Sequence, residues 1–237
     1  MATSYGPQYP GLEDGLIFCF DPKNRVSWTG GGKISNQVFN MVKGTSGSVS
    51  FENADEEWAG AITSQGYIDY DGTDDYIQME DTNSTLGLSG SNQITVAWWG
   101  ARDATIPPYG TGFGGHGTSA FTDGWGFWIG GNQQLHWEIK YGTDALDLAY
   151  SSTGEWVLAT GTYDGINLKL YINGTLEATE ADDEIITGTS NIWMGRASGA
   201  DNYYFNGKVG PCMIWNRPLS AAEVLTNYNR LKGRFGL

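Results

Sequence analysis

Along residues 168–178, LKLYINGTLEA, apolar Leu168, Leu170 and Ile172 alternate with Lys169, Tyr171 and Asn173. A period of two puts the first set on one face of an extended strand and the second on the other, so the segment reads as a half-buried strand. Asn173 and Gly174 tolerate the positive φ angles of a type I′ turn, and residues 175–178 then fold back as the partner strand. Just upstream, residues 156–165, WVLATGTYDG, form a second β-rich run that closes on Asp164 and Gly165. Three successive antiparallel strands are expected.

The same pattern predicts strands near 15–21, 66–70, 75–80, 93–102, 124–130, 134–141, 190–195 and 204–215. Helical spacing is confined to residues 220–232. There Ser220 caps the start, Glu223 completes a capping box, Leu219 staples against Val224, and Gly233 marks the end. Leu225, Tyr228 and Leu231 recur on one face of that helix, which is expected to lie on the sheets. The glycine-rich residues 102–122 break all periodicity and read as a long surface loop, where binding residues concentrate.

Composition supports many short strands joined by tight turns: 35 glycines against 7 prolines, 14% aromatic and 17% charged residues in 237. A chain of this length can bury a substantial core, and one all-β domain is the default. The formal net charge of −14 repels phosphate backbones and anionic lipid surfaces, so neither nucleic acid nor membrane is an expected partner. A neutral glycan, a cation or a basic protein surface fits better. Residues 1–10, MATSYGPQYP, have no basic start and no apolar core, so no secretory signal is expected, and the protein is expected to be made in a cytoplasm and stay soluble.

The run W-x-L-A-T-G-T-Y-D-G-x-x-L-K-L-Y-I-N-G resembles the central meander of laminin G-like and concanavalin A-like jelly-roll domains. Residues 69–79, DYDGTDDYIQM, resemble a second segment of that group, with Tyr70 where Phe is usual. Residues 205–224, FNGKVGPCMIWNRPLSAAEV, resemble its closing strand and short helix. Both ends of the chain, residues 15–21 and 227–237, are similar to versions found in bacteriophage virion proteins. The resemblance implies an all-β, two-sheet antiparallel jelly-roll sandwich with one short C-terminal helix. It further implies a domain over 15–237 preceded by an arm over 1–14, with strand 15–21 beside strand 208–215. Cys19 and Cys212 fall in those two strands, and either a disulfide or two small buried thiols are open.

Candidate chemistry follows from the same segments. Glu180-Ala-Asp-Asp-Glu184 satisfies E-x-D-x-E, the signature of retaining glycanases on this jelly roll, which works only if residues 180, 182 and 184 project from one strand face. Asp183 would then point into the core as a buried unpaired carboxylate, so a solvated acidic loop is the expectation. His116 and His136 have no metal-ligand spacing. Asp71, Asp74 and Asp75 beside Gly72 offer oxygens for calcium, although Asp71-Gly72 is also an ordinary turn. Trp156, Trp193 and Trp215 read as core. In the pair of strands from Trp125 to Tyr141, Trp125, Phe127, Ile129, Leu135, Trp137 and Ile139 form the core side. Trp128, His136, Glu138 and Lys140 then fall on the opposite face. Near the long loop with Tyr109 and Asp123, they make a candidate glycan groove; the alternative packs Trp128 beneath a subunit or loop.

Because this scaffold serves lectins, adhesins, virion parts and glycanases alike, function is less specified than fold. The expectation is a non-catalytic phage virion protein, a capsid decoration or a tail or fibre component, needing no cofactor and contacting other virion proteins, with residues 1–10 as a docking arm and a homo-oligomer open. The alternative is a carbohydrate-binding adhesion module for cell-surface glycans, with calcium as an accessory ion. A glycanase comes third.

Overall fold

The computed structural model describes residues 12–24, 41–42, 66–73, 75–79, 86–103, 113–114, 124–130, 133–140, 146–148, 153–187, 192–196 and 203–237. In chain order the strands are β1 (Leu16–Phe20), β2 (Ile68–Asp71), β3 (Ile77–Met79), β4 (Ile94–Arg102), β5 (Phe113–Gly114), β6 (Trp125–Ile129) and β7 (Leu135–Ile139). They continue as β8 (Leu146–Leu148), β9 (Val157–Tyr163), β10 (Asn167–Ile172), β11 (Thr175–Ala181), β12 (Ile192–Met194) and β13 (Asn206–Trp215), followed by one helix, α1 (Ala221–Leu231). Each expected strand is present. Two more were not foreseen: β5 lies inside the stretch read as an aperiodic loop, and β8 is only three residues long. Strands this short carry too few alternations to show a period of two.

One layer is a seven-stranded antiparallel sheet in the order β1-β13-β4-β9-β10-β11, with β2 also pairing β13. The first and last strands lie side by side as expected, with Phe20 opposite Cys212 and Cys19 opposite Met213. The facing layer, expected as one sheet, is made of two three-stranded pieces, β3-β12-β5 and β6-β7-β8. Phe113 of β5 packs on Trp125 of β6 with ring centroids 5.8 Å apart, which joins the two pieces. Between the layers sits a continuous core containing Phe18, Trp98, Phe127, Trp137, Leu170 and Ile214.

A second apolar cluster lies on the other face of the large sheet. Here Trp99, Trp215, Leu219 and Val224 pack together, with Trp156, Tyr228 and Phe235 against them. The capping box is formed: Ser220 Oγ accepts from the Glu223 N–H and a Glu223 carboxylate oxygen accepts from the Ser220 N–H. The helix runs on into a 3-10 turn over Lys232–Phe235, and Gly236 (φ 81°), not Gly233, takes the left-handed conformation that ends it. Leu225, expected on the packed face, is 46% exposed, while Val224 and Asn227 are buried. Trp156 is half-buried against Phe235, with ring centroids 4.4 Å apart, so its role is to seat the C-terminal turn.

Directly opposed residues of an antiparallel pair share a face. Cys19 therefore joins Met213 in the helix-side cluster, and Cys212 joins Phe20 in the inter-layer core. The two cysteines are free and buried, on opposite faces of the sheet, which leaves the thiol reading and removes the disulfide. Burial pushes the Cys212 thiol well above its ordinary range.

Candidate functional site

The β6–β7 hairpin builds the candidate groove. Its tip closes through the Gln133 N–H to the Gly130 carbonyl (2.8 Å) and the Gly130 N–H to the Gln134 carbonyl (2.9 Å). This register sets Trp128 opposite His136 and Gly126 opposite Glu138. Trp125, Phe127, Ile129, Leu135, Trp137 and Ile139 are all buried on the core side, as the alternation requires. The opposite face carries an indole-imidazole stack: the Trp128 and His136 rings lie 3.6 Å apart at 15°.

That face is more covered than an open groove. Trp128 is half-buried, while His136 is 7% and Glu138 2% exposed. The expected exposed indole among solvated hydrogen-bonding groups is thus corrected to a half-covered aromatic stack over a buried carboxyl. Alternation assigns a face, but only the rest of the chain decides how far that face is covered. Burial pushes the Glu138 carboxyl up to about 7, against a smaller lowering from the Trp128 indole N–H. A protonated Glu donates a hydrogen bond that a carboxylate cannot, so the site's polarity changes across neutral pH.

Lys140 leaves the face. With φ 55° it turns out of β7, and its Nζ pairs with Glu184 Oε2 at 2.5 Å. Tyr163 donates from its hydroxyl to the Glu184 carbonyl at 2.6 Å. Burial, reinforced by the carboxylates of Asp182, Asp183, Glu184 and Asp164, holds the Tyr163 phenol up at about 12. The end of β7 is thereby tied to the segment that follows β11. Tyr109 and Asp123, the remaining groove candidates, lie outside the described residues.

The acidic motif does not form a catalytic face. Glu180, expected in a loop, extends β11 opposite Leu168. The strand ends at Ala181, and Asp182 is 6% exposed while Asp183 is solvent-exposed. Asp182 Oδ1 accepts from the Glu184 N–H at 2.8 Å, closing a turn that sends Glu184 toward Lys140. Residues 180, 182 and 184 therefore do not project from one strand.

At the calcium candidate, Asp71 Oδ1 accepts from the Thr73 N–H (2.7 Å) and Asp75 Oδ2 accepts from the Asp71 N–H (3.1 Å). Both carboxylates commit an oxygen to the turn at Gly72, whose φ is 79°. Asp74 lies outside the described residues. Among those described, no group of three or more His, Cys, Asp or Glu side chains is placed to hold a metal ion.

One tryptophan departs from the core position expected of it. Trp193, assigned to the core, is half-buried on the outer face of β12, between core residues Ile192 and Met194. The apolar-aromatic-apolar spelling Ile-Trp-Met hides an alternation that a less hydrophobic residue would have shown. Tyr76 and Arg196 lie beside it, and Tyr204 lies beside Tyr76.

The family model of the concanavalin A-like lectin/glucanases superfamily matches residues 71–225. Among solved structures, the binding domain of Paraclostridial Mosquitocidal Protein 1 is similar with a TM-score of 0.66 at 16% identity, covering 92% of this chain and 53% of that one. The receptor binding domain of botulinum neurotoxin D gives 0.68 at 17% identity, over 93% and 54%. A Trypanosoma rangeli sialidase in complex with sialic acid gives 0.67 at 10% identity, over 93% and 33%. The chain spans about half of each toxin domain and a third of the sialidase, and at these identities the likeness establishes the fold. No curated protein matches the sequence.

Proposed function

The chain belongs to the concanavalin A-like lectin/glucanases superfamily, and from that premise we propose that it is a non-catalytic carbohydrate-binding module. The observation that carries this reading is the Trp128–His136 stack on the outer face of β6–β7, with the Glu138 carboxyl beside it. A half-exposed indole offers a π-surface on which the C–H face of a sugar ring can stack, while the buried His136 and Glu138 beside it hold the ring in place rather than meet solvent. The toxin binding domains that share the fold support the reading. The sialidase also shares it, but the dispersal of Glu180, Asp182 and Glu184 argues for binding rather than hydrolysis. Calcium at Asp71, Asp74 and Asp75 belongs to the proposal as an accessory ion.

We place this module on a bacteriophage particle, as a capsid decoration or a tail or fibre component. Its partners there are other virion proteins, its own copies and cell-surface glycans. The support is the resemblance of residues 15–21 and 227–237 to virion proteins. Each part has its own test. A glycan array, run with and without calcium, is expected to give sugar-specific signal; a blank array in both conditions removes the lectin reading. Purified particles are expected to contain the protein at fixed stoichiometry, and deletion of residues 2–10 to reduce its incorporation. Its absence from intact particles removes the virion reading.

A further inference from the structure

The outer face of β3-β12-β5 carries a second aromatic cluster. Ile192 and Met194 fill the core side of β12 at 2% and 0% exposure, so Trp193 between them points away from the core. Tyr76, immediately before β3, sets its ring 5.5 Å from the Trp193 ring and 6.4 Å from that of Tyr204. Gly195 takes φ 81°, and a Cβ there would lie 2.4 Å from the Tyr70 ring. That left-handed residue breaks the alternation, and Arg196 reaches the same side as Trp193 while bridging antiparallel to Tyr204. The Arg196 guanidinium carbon then sits 5.1, 5.4 and 5.3 Å from the centroids of Tyr76, Trp193 and Tyr204.

The core does not need these side chains. Ile77, Ile192, Met194 and Phe205 already fill the inner side of the same strands. All four members of the outer cluster are half-buried and reach solvent. A guanidinium this close to three ring centroids gains cation-π attraction, which fixes its position at the cluster. Trp193 sits opposite Gly114 of β5 on one side and Gln78 of β3 on the other, so the β5 side brings no side chain against the indole. β5 in turn adjoins β6, so this cluster and the Trp128 stack occupy the outer surface of one layer.

We propose that Tyr76, Trp193, Tyr204 and Arg196 form a second glycan-binding platform, on which a pyranose ring stacks on the aromatic faces while Arg196 donates hydrogen bonds to its hydroxyl or carboxylate oxygens. The proposal rests on the reading of the chain as a glycan binder and adds a binding face distinct from Trp128. Aromatic faces recognise the axial C–H side of a hexopyranose, and a planar five-donor fork suits vicinal hydroxyls or a carboxylate. A Trp, Tyr and Arg cluster is also the composition of a protein-protein hot spot, and the experiment separates the two.

The test titrates cellohexaose, chitohexaose and sialyllactose into the wild type and into Trp193→Ala, Arg196→Gln and Trp128→Ala, with thermal unfolding and sedimentation measured on each. Trp193→Ala is expected to weaken binding of at least one of these sugars by about tenfold or more, the scale of losing one aromatic anchor. Arg196→Gln, which keeps the backbone and much of the side-chain volume, is expected to weaken it in the same direction even if Trp193→Ala folds poorly. Sugar binding that is lost in Trp128→Ala but unchanged in both platform variants overturns this proposal alone. Self-association lost in Trp193→Ala with sugar binding intact overturns it in favour of a protein interface. No binding of any of the three sugars by the wild type overturns this extension, while the glycan array decides the underlying reading separately.

Discussion

Trp137 of β7 lies flat against the bare Cα of Gly161 in β9: a Cβ added at Gly161 would sit 2.2 Å from the indole Cδ2. The indole N–H also donates to the Thr162 carbonyl across the layers at 3.4 Å. This contact locks the β6-β7-β8 piece, which carries the Trp128 face, onto the large sheet. Since Trp137 and His136 are neighbours on one strand, the seating of the first sets the height of the second.

Gly161→Ala is expected to destabilise the fold by about 1–3 kcal/mol or more, because the clash involves a buried ring that cannot swing aside. Gly233→Ala, where an added Cβ meets nothing within 4 Å, is expected to be neutral or slightly stabilising. Urea unfolding of the two variants checks the contrast, and equal midpoints would contradict it.

Trp128→Ala removes a half-buried ring stacked on His136. The expected loss is about 2 kcal/mol, less than a fully buried Trp truncation, together with loss of sugar binding at that face. A full-sized loss near 4 kcal/mol with sugar binding retained would mean that the indole only packs. Melting temperature and sugar titration on the same preparation distinguish the outcomes.

Glu138 gives the protein a pH dependence of definite sign. Its folded pKa of about 7 lies above the ordinary 4.5, so the native state holds this proton more tightly than the unfolded chain does. The associated stability is complete below about pH 4.5 and is lost as the pH rises to about 7, a change of about 3 kcal/mol. Glu138→Gln, neutral throughout, is expected to raise the melting temperature at pH 8 and flatten its slope across that window. An unchanged slope would show that burial does not hold Glu138 protonated.

Glu180→Gln and Glu184→Gln are expected to leave sugar binding unchanged. Glu180 is exposed at the edge of the large sheet, and Glu184 loses only its pairing to Lys140, worth about 1 kcal/mol or less at a partly exposed site. Wild-type release of reducing sugar from a β-glucan, abolished in either variant, would establish a glycanase instead.

What the sequence by itself determined was local. Alternation at Leu168, Leu170 and Ile172, and the Asn173-Gly174 pair (φ 53° and 85°), set a strand and its turn through neighbours a few residues away. The same is true of the Ser220-Glu223 capping box and of the division of β6 and β7 into a core side and an outer side. Tertiary structure decided everything that depends on residues distant in the chain. Alternation placed His136 and Glu138 on the outer face correctly, yet both are buried, because burial depends on what packs over a face, which the strand's own pattern does not encode. Cys19 and Cys212 sit in paired strands but face opposite ways, since a one-residue offset in register reverses the side of the sheet. At Gly195 a single left-handed residue carries Arg196 round to Trp193, Tyr76 and Tyr204, four positions spread over more than a hundred residues of chain. Period and turn chemistry are properties of a segment, whereas burial, register and the meeting of separate strands are properties of the packed whole.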